Sequence, residues 1–257
     1  MHGLKKVERV IQHCTQLGKN IRSRLRGAGD GLPIPPHKLL TLVAGGSDIS
    51  WFLEIGRQGA ESTIEILARN GVRTADFRSI LDFGCGCGRV IRHLRSLQTP
   101  KLCGSDYNRA LIEWCQRNLS FAEFSTNGLL PPLGYADDAF DLVYSLSVFT
   151  HLPEGMQLDW IKELRRVISP GGYLLITTHG ESYMSVMLPE EKDRFCAGQL
   201  VTRSETHAGT NTCAAFHPPA YVRRTLANGF EVIDFVPEGA KGNPHQDVFL
   251  LRKAGIA

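Results

Sequence analysis

The stretch Ile80-Leu81-Asp82-Phe83-Gly84-Cys85-Gly86-Cys87-Gly88-Arg89 constrains this chain more than any other. An apolar run ends in three glycines at alternate positions, which reads as a buried strand passing through a turn into a helix. Glycine lets backbone adopt positive φ and approach a ligand closely. The first N–H groups of a helix face whatever negative group lies beyond them. In open α/β sheets the crevice past the strand ends is where ligands sit. Dinucleotide-binding turns follow the spacing G-x-G-x-x-G. This chain has Gly84-x-Gly86-x-Gly88 instead, with an acid, Asp82, two residues before the first glycine.

The surroundings alternate in the way such a turn requires. Strands are expected over Ser79–Gly84, Lys101–Asp106, Phe140–Ser145 and Tyr173–Thr178, and helices over Arg89–Leu97, Arg109–Leu119 and Pro153–Ile168. Pro170-Gly171-Gly172 reads as a turn. A later helix, Pro218–Asn228, is stopped by Gly229 and followed by strands Phe230–Val236 and Asp247–Arg252. The expected class is α/β, a Rossmann-like doubly wound sheet, largely parallel with an antiparallel edge. Ahead of it lies a helical extension over residues 1–77, so the main domain is 78–257. Within the extension, residues 4–26 carry apolar side chains at helical spacing, with Lys5, Lys6, Arg9, Lys19, Arg22 and Arg26 opposite. A solvated basic face and an anionic partner both fit that pattern. Gly27–Pro36 is rich in breakers and reads as loop. Ser47-Asp48 caps a helix running to Asn70, with Gly71 as its stop and Phe52, Ile55, Ala60, Ile64 and Leu67 inward.

Composition narrows the class. With 257 residues, 42% hydrophobic and 21% charged, one large globular domain needs no disulfides. The seven cysteines are odd in number and form no C-x-x-C pair, so free thiols in a reducing compartment are expected. Cys85 and Cys87 supply too few ligands for a zinc site, and no metal is expected. A net charge of +3 does not by itself argue for nucleic acid. No apolar run approaches the roughly 20 residues of a membrane span, and the N-terminus lacks a signal-peptide pattern. A cytoplasmic location is the default expectation.

Further segments agree with the glycine turn. Asp106 closes the second strand, where an acid can accept both ribose hydroxyls; a cap for the helix near Asn108 is the competing reading. Asp138-Ala139-Phe140-Asp141-Leu142-Val143-Tyr144-Ser145 follows later, and Thr126-Asn127-Gly128-Leu129 precedes it. Glu163 to Gly172 supplies a helix end and a Pro-Gly-Gly turn before the next strand. Together these residues resemble the class I methyltransferases that use S-adenosyl-L-methionine (SAM), across Arg78–Thr178 and more loosely in the last 40 residues. Within that superfamily the chain is similar to bacterial small-molecule and sugar-type methyltransferase-domain proteins. The resemblance implies about seven strands with an antiparallel terminal strand. It implies that Asp82, Gly84, Cys85, Gly86 and Gly88 hold the methionine portion of SAM, with Arg89 or Arg57 toward its carboxylate. It assigns Asp106 to the ribose, with Tyr107 beside it, and Asn127 with Gly128 to the adenine. Ser145, closing the fourth strand, joins the cofactor contacts.

The acceptor is less legible. His151 and His179 follow strands on the side where an acceptor approaches and are the candidate proton acceptors. A hydrogen-bonded structural histidine is the competing reading for both, and for His217. Trp51, Trp114 and Trp160 sit at helical positions and read as core. Residues 179–217 form a connection far longer than the usual few residues. Leu188–Gln199 suits a short helix there. Leu200–Ser204 and Thr210–Phe216 suit a hairpin covering the methyl site, with a surface excursion or homodimer contact as the alternative. The expected function is SAM-dependent methyl transfer to oxygen or nitrogen of a small-molecule or sugar-type acceptor, without nucleic acid. The glycine spacing disfavours a nicotinamide dehydrogenase. Ser145-Leu146-Ser147-Val148 lacks the amide–proline–aromatic motif of a nucleic-acid methyltransferase. A non-catalytic SAM-binding regulatory or assembly protein stays open, because no single side chain is obligatory for methyl transfer.

Overall fold

In the computed structural model, residues 18, 20–22, 27–97 and 100–255 are described. Most of the expected helix over 4–26 lies outside them. Two helices precede the sheet, α1 (His37–Ala44) and α2 (Ile49–Arg69). Asp48 caps α2 by accepting from the Trp51 N–H at 3.1 Å, and Asn20 adds a second clasp, its Oδ1 accepting from the Ile49 N–H. α1 was not foreseen. Its first turn has no side-chain cap, and it ends at Gly45 with φ 66°, so it carries weak local signals.

The sheet is built from β1 (Ser79–Phe83), β2 (Lys101–Asp106), β3 (Glu123–Thr126), β4 (Phe140–Ser145) and β5 (Ile168–His179), all parallel. Their order is β3-β2-β1-β4-β5. Helices α3 (Arg109–Asn118) and α4 (Glu154–Val167) connect them. The insertion then supplies α5 (Pro189–Cys196), β6 (Val201–Arg203) and β7 (Ala214–Phe216). The chain ends with β8 (Phe230–Val236) and β9 (Gln246–Lys253). β9 lies antiparallel along β5 from Tyr173↔Arg252 to His179↔Gln246, and β8 pairs on its far side. The antiparallel strand therefore sits one place in from the edge, and β6 and β7 bring the strand total to nine.

The central strands are largely apolar because both faces are covered. Side chains alternate between faces: Ile80, Leu142, Leu175 and Leu250 join the core shared with α2 and α3. Their neighbours Leu81, Val143, Leu174 and Leu251 join the core shared with α4. The N-terminal helices thus share one core with the sheet.

Three local expectations change. The segment 89–97 forms no α-helix; turns lead into a short 3₁₀ element, Ile91–Leu94. Gly88 and the β-branched Val90 and Ile91 favour helix weakly. The fully buried Arg92 guanidinium is drawn to Asp30 at 2.7 Å and to the Leu32 and Pro33 carbonyls. The expected helix at 218–228 forms over residues 219–226, but it changes from α (Pro219–Tyr221) to π (Val222–Leu226). The Ser169–Gly172 stretch is a bulge within β5, because the register jumps from Phe140↔Ile168 to Leu142↔Tyr173.

The insertion forms the expected helix and hairpin. β6 and β7 pair antiparallel, Val201 opposite Phe216, and β7 touches the end of β5 at His179↔Phe216. Met187, Phe195, Val201 and Phe216 give it a small core of its own. Arg203 ties α5 to β6 through Glu191, Nε to Oε1 2.7 Å.

Candidate functional site

Strand order reverses between β1 and β4, and there the carboxyl ends of the strands splay around a cleft, as in other open α/β sheets. The cleft encloses about 1060 Å³, its open mouth included. Its inner wall is the turn after β1. Gly84 has φ 80°, and a Cβ there would stand 2.2 Å from Val148 Cγ2, so the turn closes against the segment after β4 only because no side chain intervenes. Gly86 has φ 57°, and its Cβ would meet Val43 of α1 at 2.8 Å. Gly86 and Gly88 do not line the cleft. Gly88 backs onto Leu119 and Cys115, so its part is packing. The expected anion site at a helix start is absent, because the turn leads into no α-helix.

Asp82, Gly84, Cys85 and Arg89 do line the cleft. Asp82 is buried, and its Oδ2 has no hydrogen-bond partner. Burial pushes its carboxyl up to about 7; the Tyr144 hydroxyl and Arg89 guanidinium act against the rise, and Asp106 adds to it. Arg89 is buried too, with burial holding its pKa below the usual arginine value. It donates to the Gly242 carbonyl at 3.3 Å. A carboxylate and a guanidinium on one wall match the ammonium and carboxylate of an α-amino acid. Arg57 is excluded from this role: it is exposed and paired with Glu54 and Glu61, and it does not line the cleft.

Asp106 links the turn to β2. Its Oδ2 accepts from the Gly86 N–H at 2.9 Å and its Oδ1 from the Asn108 N–H at 2.8 Å. Asp106 thus supports the loop before α3 and also lines the cleft, the position the ribose reading requires. Burial raises its carboxyl, and the two N–H groups oppose the rise. Asn127 and Gly128 follow β3 and also line the cleft. The Asn127 Oδ1 accepts from Ser105 Oγ at 2.5 Å and its amide nitrogen donates to the Gly128 carbonyl at 2.6 Å. Those bonds orient the amide and leave one Oδ1 lone pair for a donor in the cleft. Ser145 is not brought in; its hydroxyl is fully buried away from the cleft without a partner. Ser147, two residues on at φ 61°, lines the cleft instead.

His151 and His179 separate. His151 lines the cleft, and its Nδ1 lies 2.8 Å from the Cys213 carbonyl. A carbonyl only accepts, so Nδ1 carries the proton and Nε2 keeps the lone pair. Burial lowers its pKa, which the Cys213 carbonyl partly offsets, so the ring is neutral at pH 7. His179 lies behind it, ring centroids 6.4 Å apart, packed against Tyr183 and Phe216. Its nitrogens face the Ala215 carbonyl and the Gln246 amide. Burial, with His151 nearby, brings it down to about 4. His179 is a packed neutral histidine outside the cleft, as is the fully buried His217 beside Gln157.

The hairpin closes one side of the mouth. Gly209 donates to the His151 carbonyl at 2.8 Å and accepts from the Tyr107 hydroxyl at 3.0 Å. Asn211 reaches the Leu42 carbonyl of α1 at 3.4 Å. Sequence reasoning missed α1's contribution, Val43 and Ala44, and misread Trp51, which is 44% exposed and lines the cleft. Trp114 and Trp160 are core as expected. The cue for Trp51 was its place in the first turn of α2, opposite that helix's buried residues.

A strand-order switch point, an acid closing β2, an acid and an arginine flanking a glycine turn, and an antiparallel strand beside β5 define the class I SAM-dependent methyltransferase fold. The chain belongs to the methyltransferase domain family, whose profile matches residues 55–236. It is 35% identical over 103 residues to a phthiotriol/phenolphthiotriol dimycocerosates methyltransferase of Mycobacterium ulcerans, 39% of this chain and 37% of that one. It is 28% identical over 155 residues to a probable tRNA methyltransferase 9B of Homo sapiens, 54% of this chain and 32% of that one. The chain thus spans only about a third of the length of these curated relatives. A solved SAM-dependent methyltransferase of Methanosarcina mazei superposes with a TM-score of 0.55 at 23% identity, covering 74% of this chain and 98% of that one.

Proposed function

We propose that this chain transfers the methyl group of SAM to an oxygen or nitrogen of a small-molecule or sugar-type acceptor. The observation that carries the reading is the convergence in one cleft of Asp82, Arg89, Asp106 and Asn127 with His151. The first four have the chemistry to hold an amino acid, a ribose and an adenine amine. When bound, SAM supplies a methyl carbon on a sulfonium, an already activated leaving group. The chain then has to align the acceptor and remove its proton. His151, neutral with its base at Nε2, suits the second task. A small acceptor is favoured over RNA because, among the described residues, Arg89 is the sole lysine or arginine lining the cleft, whereas an RNA path needs a basic stripe.

The test is turnover. Purified protein with SAM and a panel of hydroxyl and amine compounds should form S-adenosylhomocysteine. His151→Gln should lower kcat by about a hundredfold, the scale of general-base catalysis, with KM for SAM little changed. Tight SAM binding with no turnover on any panel or on a cell extract points instead to a non-catalytic SAM-binding protein.

A further inference from the structure

Exposed apolar side chains gather at the mouth of the cleft, and Leu42, Trp51 and Leu130 among them have no part in the cofactor assignments. Among the described residues eight large hydrophobic side chains are exposed, and five of them, Leu42, Trp51, Tyr107, Leu129 and Leu130, belong to segments around this mouth. Trp51, Tyr107 and Leu129 line the cleft, and Leu42 and Leu130 are chain neighbours of the lining residues Val43 and Leu129. Single exposed hydrophobics are ordinary on any surface; a group contributed by α1, α2, the end of β2 and the loop after β3 to one opening is not.

The polar atoms of the rim are spent on one another. The Leu42 carbonyl accepts from Asn211, the Gly209 carbonyl from Tyr107, and the Leu129 carbonyl from the Trp160 indole N–H at 3.1 Å. The rim therefore offers a ligand hydrocarbon contact and few hydrogen bonds. Its charge points the same way. Arg89, the one lysine or arginine among the described lining residues, is buried, so the described wall of the cleft carries no row of cations to neutralise phosphates.

We propose that the acceptor is an amphiphile: a hydroxyl or amine that sits beside His151, attached to an alkyl chain or fused hydrocarbon ring lying over Leu42, Trp51, Leu129 and Leu130. This deepens the methyltransferase reading above and rests on it. Burying apolar surface against this rim strengthens binding by about fourfold for each methylene covered. The hairpin tip, bonded to Tyr107, His151 and α1, holds the rim and the reacting end of the cleft in one geometry.

The experiment separates this inference from the reading beneath it. Calorimetry first measures S-adenosylhomocysteine binding, which tests the cofactor site alone. Primary n-alcohols from butan-1-ol to decan-1-ol are then titrated into the saturated complex. The expected result is an affinity that climbs about fifteenfold with each added pair of carbons the rim covers. The double variant Leu42→Gln, Leu130→Gln changes exposed side chains that do not line the cofactor cleft. It should flatten that climb while S-adenosylhomocysteine affinity stays within about twofold. No chain-length dependence in the unaltered protein, with S-adenosylhomocysteine bound normally, overturns the amphiphile and leaves the methyltransferase reading standing. Salt-sensitive binding of a tRNA anticodon stem-loop without alcohol binding overturns it in favour of RNA. Conversion of a dimer to a monomer by the double variant in sedimentation, with an unchanged alcohol series, also overturns it, making the rim a contact between copies.

Discussion

The Asp106 carboxylate braces the turn after β1 and lines the cleft. It holds the Gly86 and Asn108 N–H groups, and its remaining lone pairs face the cleft. Asp106→Ala should therefore weaken S-adenosylhomocysteine binding by about 1.5–3 kcal/mol, the worth of hydrogen bonds to a charged group. It should also lower the unfolding midpoint, because two N–H groups lose their acceptor. Calorimetry that finds unaltered affinity removes the ribose assignment. Asp82 gives a pH signature. Its folded pKa of about 7 lies above its unfolded value, so the folded protein binds the extra proton more tightly. Stability of the ligand-free protein should fall as pH rises through the window from about 4 to 7. A ligand ammonium beside Asp82 lowers that pKa, so binding near pH 7 should release a proton. Calorimetry in buffers of different ionisation enthalpy reads the release, and Asp82→Asn should abolish it. An identical release in that variant would rule out Asp82 as its source.

At the scale of elements, the insertion is where shape and specificity meet. Replacing all of Leu200–Phe216 would empty the small core around Val201 and Phe216, both buried. Replacing only residues 205–212 with a Gly/Ser linker leaves both strands and removes the contacts of Gly209 and Asn211. That variant should bind S-adenosylhomocysteine within about 1 kcal/mol of the parent and lose at least about tenfold in acceptor turnover. Normal turnover would show that the hairpin tip has no part in the reaction. The hairpin itself was legible from its two β-prone runs around His207-Ala208-Gly209. The glycine-turn helix was overread, because strand-turn-helix logic ignored two β-branched residues and the pull of Asp30 on Arg92. β3 was missed because its Glu-Phe-Ser-Thr run buries only Phe124 and carries no periodicity to see.

For the whole molecule, cofactor binding and stability are linked. At a hundred times its Kd, S-adenosylhomocysteine should stabilise the fold by about 2.7 kcal/mol, raising Tm by about 5–10 °C for a chain of this size. NAD at the same concentration should do nothing; an equal shift would return the site to the dinucleotide class. Among the described residues no single helix is long and apolar enough to cross a membrane, and the long apolar strands are those the two-sided core needs. What the sequence determined by itself was local and periodic. Short apolar runs marked the strands, and glycine spacing after β1 and an acid closing β2 marked two walls of the cleft. Those signals lie within a few residues because backbone conformation and face are set by neighbours. Only the tertiary structure decided that His151 meets Cys213, that Tyr107 meets Gly209, and that Leu42 meets Asn211. It also moved His179 and Ser145 out of the cleft and put Trp51 on its rim. Such pairings are far apart in the chain. Loop paths and the packing of α1 over the turn bring them together, through the sum of many weak contacts that no local pattern encodes.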